Sequence, residues 1–167
     1  NNPALTMEMV LAYPELEWEC DSVNGQFMNI NDILKHPELN WNWDYVSRNP
    51  SVTMDIVLSN IDKRWNWSYL SRHLNITMSD IYSHMDLAWY WLDVSSNPNL
   101  TMTMIETHPD KEWNWFSNLI SQNMKLTADV LRQYPDKQLN FYLMSRWNPS
   151  ITLELLLATP DLPWDYN

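Results

Sequence analysis

The sequence predicts an all-α solenoid of right-handed type, built from seven stacked repeats of about 24 residues with two short helices each. The first observation behind this prediction is a recurring threonine or asparagine, here called the threonine slot, whose steps along the chain are 23, 24, 24, 24, 26 and 25 residues. The slot is filled by Thr6, Asn29, Thr53, Thr77, Thr101, Thr127 and Thr152. A period of this length is typical of arrays in which neighbouring copies bury each other's apolar faces.

The second observation is an acidic residue nine positions after every threonine slot: Glu15, Glu38, Asp62, Asp86, Asp110, Asp136 and Asp161. The third is a pair of aromatic columns. The first tryptophan column, twelve positions after the slot, contains Trp18, Trp41, Trp65, Trp89, Trp113, Leu139 and Trp164. The second, two residues further on, contains Cys20, Trp43, Trp67, Trp91, Trp115, Phe141 and Tyr166. Because both columns recur with the repeat, we expect them to form its core.

The repeats predict a single array over residues 1–167. Its copies span approximately residues 2–24, 25–48, 49–72, 73–96, 97–122, 123–147 and 148–167. Terminal copies of a solenoid usually carry a polar outer face, and neither end of this chain departs from the internal pattern in that way. We therefore expect the chain to be a fragment of a longer protein.

The first helix of each copy is predicted to begin at the threonine slot. An aliphatic residue precedes each slot and another follows four positions later, as Val52 and Val57 do around Thr53. This is a hydrophobic staple around an N-cap. The helix should end before the proline slot, because the residue before proline is disfavoured in the α region. That slot, eight residues after the threonine slot, contains Pro14, Pro37, Ile61, Met85, Pro109, Pro135 and Pro160, so two copies must end the helix by packing.

The second helix is predicted to begin at an asparagine between the two tryptophan columns, with Asn66 as N-cap and Trp65 and Leu70 as its staple. The same position contains Asn42, Asn114, Asn140 and Asp165, and the poorer caps Glu19 and Tyr90. The extra residues of the fifth and sixth copies should lengthen this helix or its turn. The alternation of Trp65, Asn66 and Trp67 also fits a strand, so one helix plus a short extended segment is the alternative.

Composition narrows the classes of partner. A formal charge of −11 disfavours nucleic acid and anionic membranes, and no apolar run is long enough for a membrane span. Hydrophobic residues make up 45% of the chain, which is ample for a core. The only cysteine, Cys20, is expected to be a small buried hydrophobe. We therefore expect protein, viral or host, as the partner, with self-assembly or incorporation into a larger complex as a further form.

No pattern in the chain predicts catalysis, a cofactor or a metal. The single glycine is incompatible with phosphate-cradling loops, which need several. His36, His73, His84 and His108 do not have the spacing of metal ligands within one helix. No serine or cysteine lies in a nucleophile signature. The chain is therefore predicted to be non-enzymatic.

The candidate partner-binding residues come from three features of the repeat. They are Arg48, Arg72, Trp43, Trp67, Trp91, Trp115, Asp62, Asp86 and Asp110. The recurring carboxylates are expected to cap the backbone of the following turn beside a lysine, or alternatively to form a face for a basic partner. The arginines belong to a position where copies differ: Arg48, Arg72, Ser96 and Gln122. Specificity should lie at such positions and near the irregular insertion at Phe116 and Ser117.

The repeat resembles tandem repeats in proteins of giant viruses, the nucleocytoplasmic large DNA viruses. The resemblance rests on Asn-Pro-x-aliphatic-Thr, then Pro-Asp/Glu-Lys, then Trp-Asn-Trp, then Leu-Ser, and covers the whole chain. Residues 49–71 and 97–115 match most closely, whereas residues 25–29 and 139–141 depart from it. The resemblance implies a viral origin and a location in the virion or the host cytoplasm.

Three functions follow as hypotheses. The first is a non-enzymatic solenoid that acts as a protein-binding scaffold or a virion-associated structural component. The second is a host-directed protein-binding adaptor. The third, from another class, is a carbohydrate-associated domain or an enzyme, and a carbohydrate-binding surface would require Trp43, Trp67, Trp91 and Trp115 to be exposed.

Overall fold

The computed structural model describes residues 7–13, 28–123 and 126–165, and within these ranges the chain is all-helical. The first helices of the seven copies are α1 (Met7–Ala12), α2 (Ile30–Lys35), α4 (Met54–Ser59), α6 (Met78–Ser83), α8 (Met102–Thr107), α10 (Ala128–Gln133) and α12 (Leu153–Ala158). The second helices are α3 (Trp43–Val46), α5 (Trp67–Ser71), α7 (Trp91–Val94), α9 (Asn118–Asn123) and α11 (Phe141–Trp147). The all-α repeat solenoid is confirmed. No strand occurs in the described ranges, so the alternative of an extended segment is wrong there.

From the second copy onward, the threonine slot is the N-cap of the first helix, as the sequence predicts. Thr101, Thr127 and Thr152 each accept a hydrogen bond from the backbone N–H three residues on. Thr77 forms a full capping box, because Asp80 also accepts from the Thr77 N–H at 2.7 Å. Thr53 differs, since its side chain makes no capping hydrogen bond.

The first helices end at the same position whether or not a proline follows. α4 ends at Ser59 and α6 at Ser83, although Ile61 and Met85 occupy the proline slot after them. The next residue, Asn60 after α4, leaves the helical region at φ −135° and ψ 39°. Its carbonyl accepts the N–H of Lys63, which closes a turn. Termination therefore depends on hydrogen bonding in this turn and not on proline alone.

The second helices begin after the predicted asparagine in three copies. Asn42, Asn66 and Asn140 each accept a backbone N–H from the first turn of the helix that follows. Tyr90 precedes α7 without a side-chain cap, in agreement with its classification as a poor cap.

The prediction that Asn114 caps a helix is wrong. The extra residues of the fifth copy form a turn, closed by a bond from the Ser117 N–H to the Asn114 carbonyl, and α9 begins only at Asn118. Ser117, 6% exposed, accepts the N–H of Ile120 at 3.3 Å and takes over the capping role. In the sixth copy the insertion lengthens the helix instead, because α11 has seven residues.

The chain divides into two compact units, Asn1–Trp89 and Tyr90–Asn167. The core of the first is formed by staple and second-helix aliphatics, fully buried at Val46, Val52, Val57, Leu70, Ile76 and Ile81. The core of the second contains Val94, Met104, Ile105, Ile120 and Met144, also fully buried. No helix in the described part of the chain is long and apolar enough to cross a membrane. Predictions for Thr6, Trp18, Cys20 and Tyr166 concern positions outside the described residues.

Candidate partner-binding surface

The first tryptophan column has a bonding role that recurs through the repeats. The indole N–H of Trp65 donates to the carbonyl of Asn60 at 2.8 Å, the carbonyl that also accepts the Lys63 N–H. Equivalent indole bonds of 2.8 to 2.9 Å run from Trp41, Trp89, Trp113 and Trp164. Four of these five rings are at most 7% exposed, and Trp41 is half-buried. Each indole thus adds a second hydrogen bond to a carbonyl at the end of a first helix, which lacks an intrahelical partner.

Four members of the second column pack edge-to-face on the first column of the next copy. Ring centroids are 4.9 Å apart for Trp43 with Trp65, 5.1 Å for Trp67 with Trp89 and 5.3 Å for Trp91 with Trp113. Phe141 with Trp164 repeats the geometry at 5.1 Å. Such pairs stabilise a core beyond their buried area.

The geometry of the second column does not match a carbohydrate platform, which needs exposed ring faces. Trp115 is only 7% exposed, and Trp43, Trp67 and Trp91 are half-buried. Trp91 is further covered by the ammonium of Lys111, 5.3 Å from its ring centroid. These four candidate residues therefore lie within the packing between copies.

Buried serines and asparagines connect one copy to the next. Ser47 accepts the backbone N–H of Asn66 at 2.8 Å, and Ser95 accepts that of Asn114 at the same distance. Asn49 donates its amide to the Met28 carbonyl at 2.7 Å, and Asn148 donates to the Ser121 carbonyl at 2.9 Å. Asn49 and Asn148, each followed by a proline, therefore link neighbouring copies.

The serine series is interrupted at Ser121. Its hydroxyl is buried and has no hydrogen-bond partner among the described residues.

His73 replaces an asparagine of this series and keeps both of its bonds. Its Nδ1 accepts the Asn75 N–H at 3.2 Å, so the ring proton lies on Nε2, which donates to the Asn49 carbonyl at 3.0 Å. Burial lowers the pKa of His73, and the bond to the Asn49 carbonyl opposes this only in part. His73 is therefore a neutral structural residue. Within the described ranges, no group of three or more His, Cys, Asp or Glu side chains is arranged to hold a metal ion.

The three candidate carboxylates, Asp62, Asp86 and Asp110, are exposed, and two of them lie beside a lysine. Asp62 accepts from Lys63 and Asp110 from Lys111, both at 3.0 Å. The lysine hydrogen bond is the main cause that lowers the pKa of Asp62 and of Asp110, and their own backbone N–H groups contribute. Asp86 is exposed and is followed by Leu87 instead of a lysine. The prediction of a lysine beside the carboxylate is confirmed for these two copies, whereas a basic partner remains a hypothesis.

Arg48 and Arg72 are brought together by a residue that the sequence analysis did not single out, Tyr69. The guanidinium carbon of Arg48 lies 3.7 Å from the Tyr69 ring centroid, and that of Arg72 lies 4.8 Å from it. Both arginines are exposed and Tyr69 is half-buried. We call these three residues the arginine–tyrosine cluster. It is the part of the candidate set that the structure assembles at the surface.

The arginine–tyrosine cluster opens into a shallow depression of about 400 Å³. Its lining is completed by Pro50, His73, Leu74 and Asn75. Leu74 is 69% exposed, whereas His73 lies in the floor with its ring nitrogens already bonded. The depression thus combines two cations, an aromatic ring and an exposed apolar rim.

A signal for this cluster was present in the sequence. Tyr45 precedes Arg48 by three residues, and Tyr69 precedes Arg72 by the same spacing, which places both pairs on one helix face. The contact of Arg48 with Tyr69 joins residues 21 apart and could be anticipated only from the repeat register. In the next copy Asp93 and Ser96 occupy the two positions, so the pattern of Tyr45 with Arg48 and Tyr69 with Arg72 does not continue there.

Comparison with known proteins gives no independent identification. No protein-family model, curated protein or solved structure matches this chain.

Proposed function

We propose that the chain is a non-enzymatic repeat scaffold that binds another protein. The observation that supports this most is the contrast between the repeat and the arginine–tyrosine cluster. The recurring tryptophans, most of the serines and the asparagines are occupied by packing and hydrogen bonds within and between copies. The arginines of the cluster instead lie at positions where copies differ, and they remain exposed.

The composition of the cluster is that of a protein-binding site. Tyrosine and arginine are enriched at binding hot spots, because they combine large contact area with directional donors. The exposed Leu74 adds apolar surface beside them. A stack of short copies offers an extended surface, which suits contact with a protein better than enclosure of a small molecule.

The test is quantitative co-purification of the tagged chain from cells that produce it. The variant Arg48→Ser with Arg72→Ser removes the cluster, and Ser96 shows that the repeat accepts serine at this position. The matched control, Lys35→Ser with Arg64→Ser, removes the same charge elsewhere in the first unit. At least one bound protein should fall by about tenfold in the first variant and be retained by the control. If no protein distinguishes the two variants, the proposal is wrong.

Two settings for this activity remain as proposals from the giant-virus resemblance. A structural component should be present in purified virus particles. A host-directed adaptor should instead co-purify with host proteins in the infected cytoplasm and be absent from particles. The same tagged chain, followed in both fractions, separates these alternatives.

A further inference from the structure

We infer that the arginine–tyrosine cluster binds an acidic peptide segment, with a carboxylate between Arg48 and Arg72 and an apolar side chain against Leu74. This inference rests on the proposed function and names the chemistry of the partner at that site. The two cations and the apolar rim of the depression favour a peptide as its occupant.

The charge argument begins with the separation of the two cations. Since both guanidinium carbons lie within 5 Å of one ring centroid, they are less than about 9 Å apart. This is close to a Debye length at physiological salt, about 8 Å, so their repulsion is incompletely screened. A carboxylate placed between them relieves that repulsion and interacts with both.

The contact of the arginines with Tyr69 favours a planar anion. Stacking on an aromatic ring uses the flat face of a guanidinium and not its N–H edge. The 3.7 Å distance of Arg48 from the Tyr69 centroid fits such a face contact. A guanidinium carries five donors, and two of them match the two oxygens of a carboxylate. Tyr69 therefore restrains the arginines in advance, which lowers the entropy cost of binding.

The rim of the depression distinguishes a peptide from other anions. Leu74 is 69% exposed and Pro50 is exposed beside it, so an apolar side chain next to the carboxylate gains buried area. A nucleic acid would bring a phosphate chain toward a protein with formal charge −11. A short peptide with one or two carboxylates meets far less of this repulsion.

The floor of the depression does not compete for the ligand. His73 uses Nδ1 to accept from Asn75 and Nε2 to donate to Asn49, so its ring holds the floor in place. Asn75 is itself fixed by donating to the carbonyls of Pro50 and Val52 at 2.7 and 3.1 Å. The floor beneath the arginines is therefore held by hydrogen bonds that link neighbouring copies.

The probe is a fluorescein-labelled, end-capped peptide with two Asp-Leu pairs in a Gly/Ser background, titrated with the whole chain by fluorescence anisotropy. We expect saturable binding that weakens with added salt. Replacing both aspartates by asparagine, or using Arg48→Ser with Arg72→Ser, should weaken it by about tenfold or more. Leu74→Ser should weaken it less, and Lys35→Ser with Arg64→Ser should change it by no more than about twofold.

Folding of every variant is checked by its circular dichroism spectrum and urea unfolding. Should the double serine variant fail to fold, Arg48→Lys with Arg72→Lys retains the charge but loses the planar fork, and binding should still weaken several-fold. Equal binding of the asparagine peptide, or unchanged binding by a folded cluster variant, overturns the inference. Tighter binding of a labelled oligouridine, lost in the cluster variant, overturns it in favour of nucleic acid.

The two proposals fail separately. If a co-purified protein depends on the cluster while the peptide does not bind, the acidic-peptide inference is wrong and the scaffold function stands. If the peptide binds through the cluster but no protein co-purifies through it, the scaffold function is wrong and the site binds acidic segments for another purpose.

Discussion

At the scale of single residues, the first tryptophan column combines burial with a directed hydrogen bond. A carbonyl at the end of a short helix lacks an intrahelical partner, and leaving it buried and unpaired is costly. The indole of Trp65 reaches back five residues and donates to the Asn60 carbonyl, which also accepts the Lys63 N–H. One side chain therefore contributes buried apolar area, makes an edge-to-face contact with Trp43 and stabilises the end of a helix.

Replacing Trp65 should separate these contributions. We expect Trp65→Ala to lower the free energy of unfolding by about 3 to 5 kcal/mol, because it removes a buried aromatic ring and leaves a cavity. Trp65→Phe keeps much of the area but loses the indole donor, so a loss of about 1 to 3 kcal/mol is expected. Both are measured by urea unfolding.

The control for Trp65 is Trp147, the tryptophan outside both columns, which is 63% exposed. Trp147→Ala should change the free energy of unfolding by about 0.5 kcal/mol or less. A loss below about 1 kcal/mol for Trp65→Ala would show that the first column is not core.

At the scale of elements, the sequence predicted the first helices well and the second helices less well. The staple and the threonine slot are local patterns that act within a few residues, so the start of each first helix can be predicted from sequence alone. The second helix of the fifth copy depended on competition between Asn114 and Ser117 for the capping role. Ser117 prevails because its hydroxyl also donates to the Ser95 carbonyl at 3.0 Å, a contact 22 residues away.

Thr77 and Thr53 provide a matched pair of N-caps for a test of the capping box. Thr77→Ala should destabilise the chain by about 1 kcal/mol or more, because it breaks a reciprocal capping box with Asp80. Thr53→Ala should cost about 0.5 kcal/mol or less, since Thr53 makes no side-chain cap bond. Urea unfolding of the two variants gives the comparison, and equal losses would contradict a specific role for the capping box.

At the scale of the whole molecule, the repeat predicted the fold class, and the candidate surface emerged only from contacts between copies. Period and register were sufficient for an all-α solenoid with two columns of aromatic rings. They placed Arg48 and Arg72 at variable positions, whereas Tyr69, which joins them, was not singled out because its contact with Arg48 depends on packing between copies. Indole bonds to carbonyls were likewise invisible, because a column position in sequence does not specify a hydrogen-bond partner.

Global stability should depend on pH through His73. The pKa of His73 in the folded state lies below its ordinary value of 6.5, because burial disfavours the charged ring. The unfolded chain therefore binds this proton more readily than the folded chain does. The contribution of His73 to the free energy of unfolding is fully present above pH 6.5 and is lost as pH falls from 6.5 toward the lowered pKa.

The measurement compares the free energy of unfolding of the parent chain and of His73→Asn at pH 7.5 and pH 5. The carboxylates titrate in both proteins, so their effects cancel in the difference. The parent chain should lose more stability than the variant between the two pH values. An identical loss would show that His73 is not held neutral by burial.

In five of the described copies the carbonyl at the end of the first helix accepts two hydrogen bonds, one from a turn N–H and one from an indole. This arrangement also affects how freely the repeat can vary. Because the turn N–H and the indole together fix that end, the proline eight residues after the threonine slot is dispensable, and Ile61 and Met85 occupy it without shifting the end of α4 or α6. Copies of the repeat can thus accumulate substitutions at this outward position while the stack is preserved. The first-column tryptophan thus allows a copy to change the residue in its proline slot.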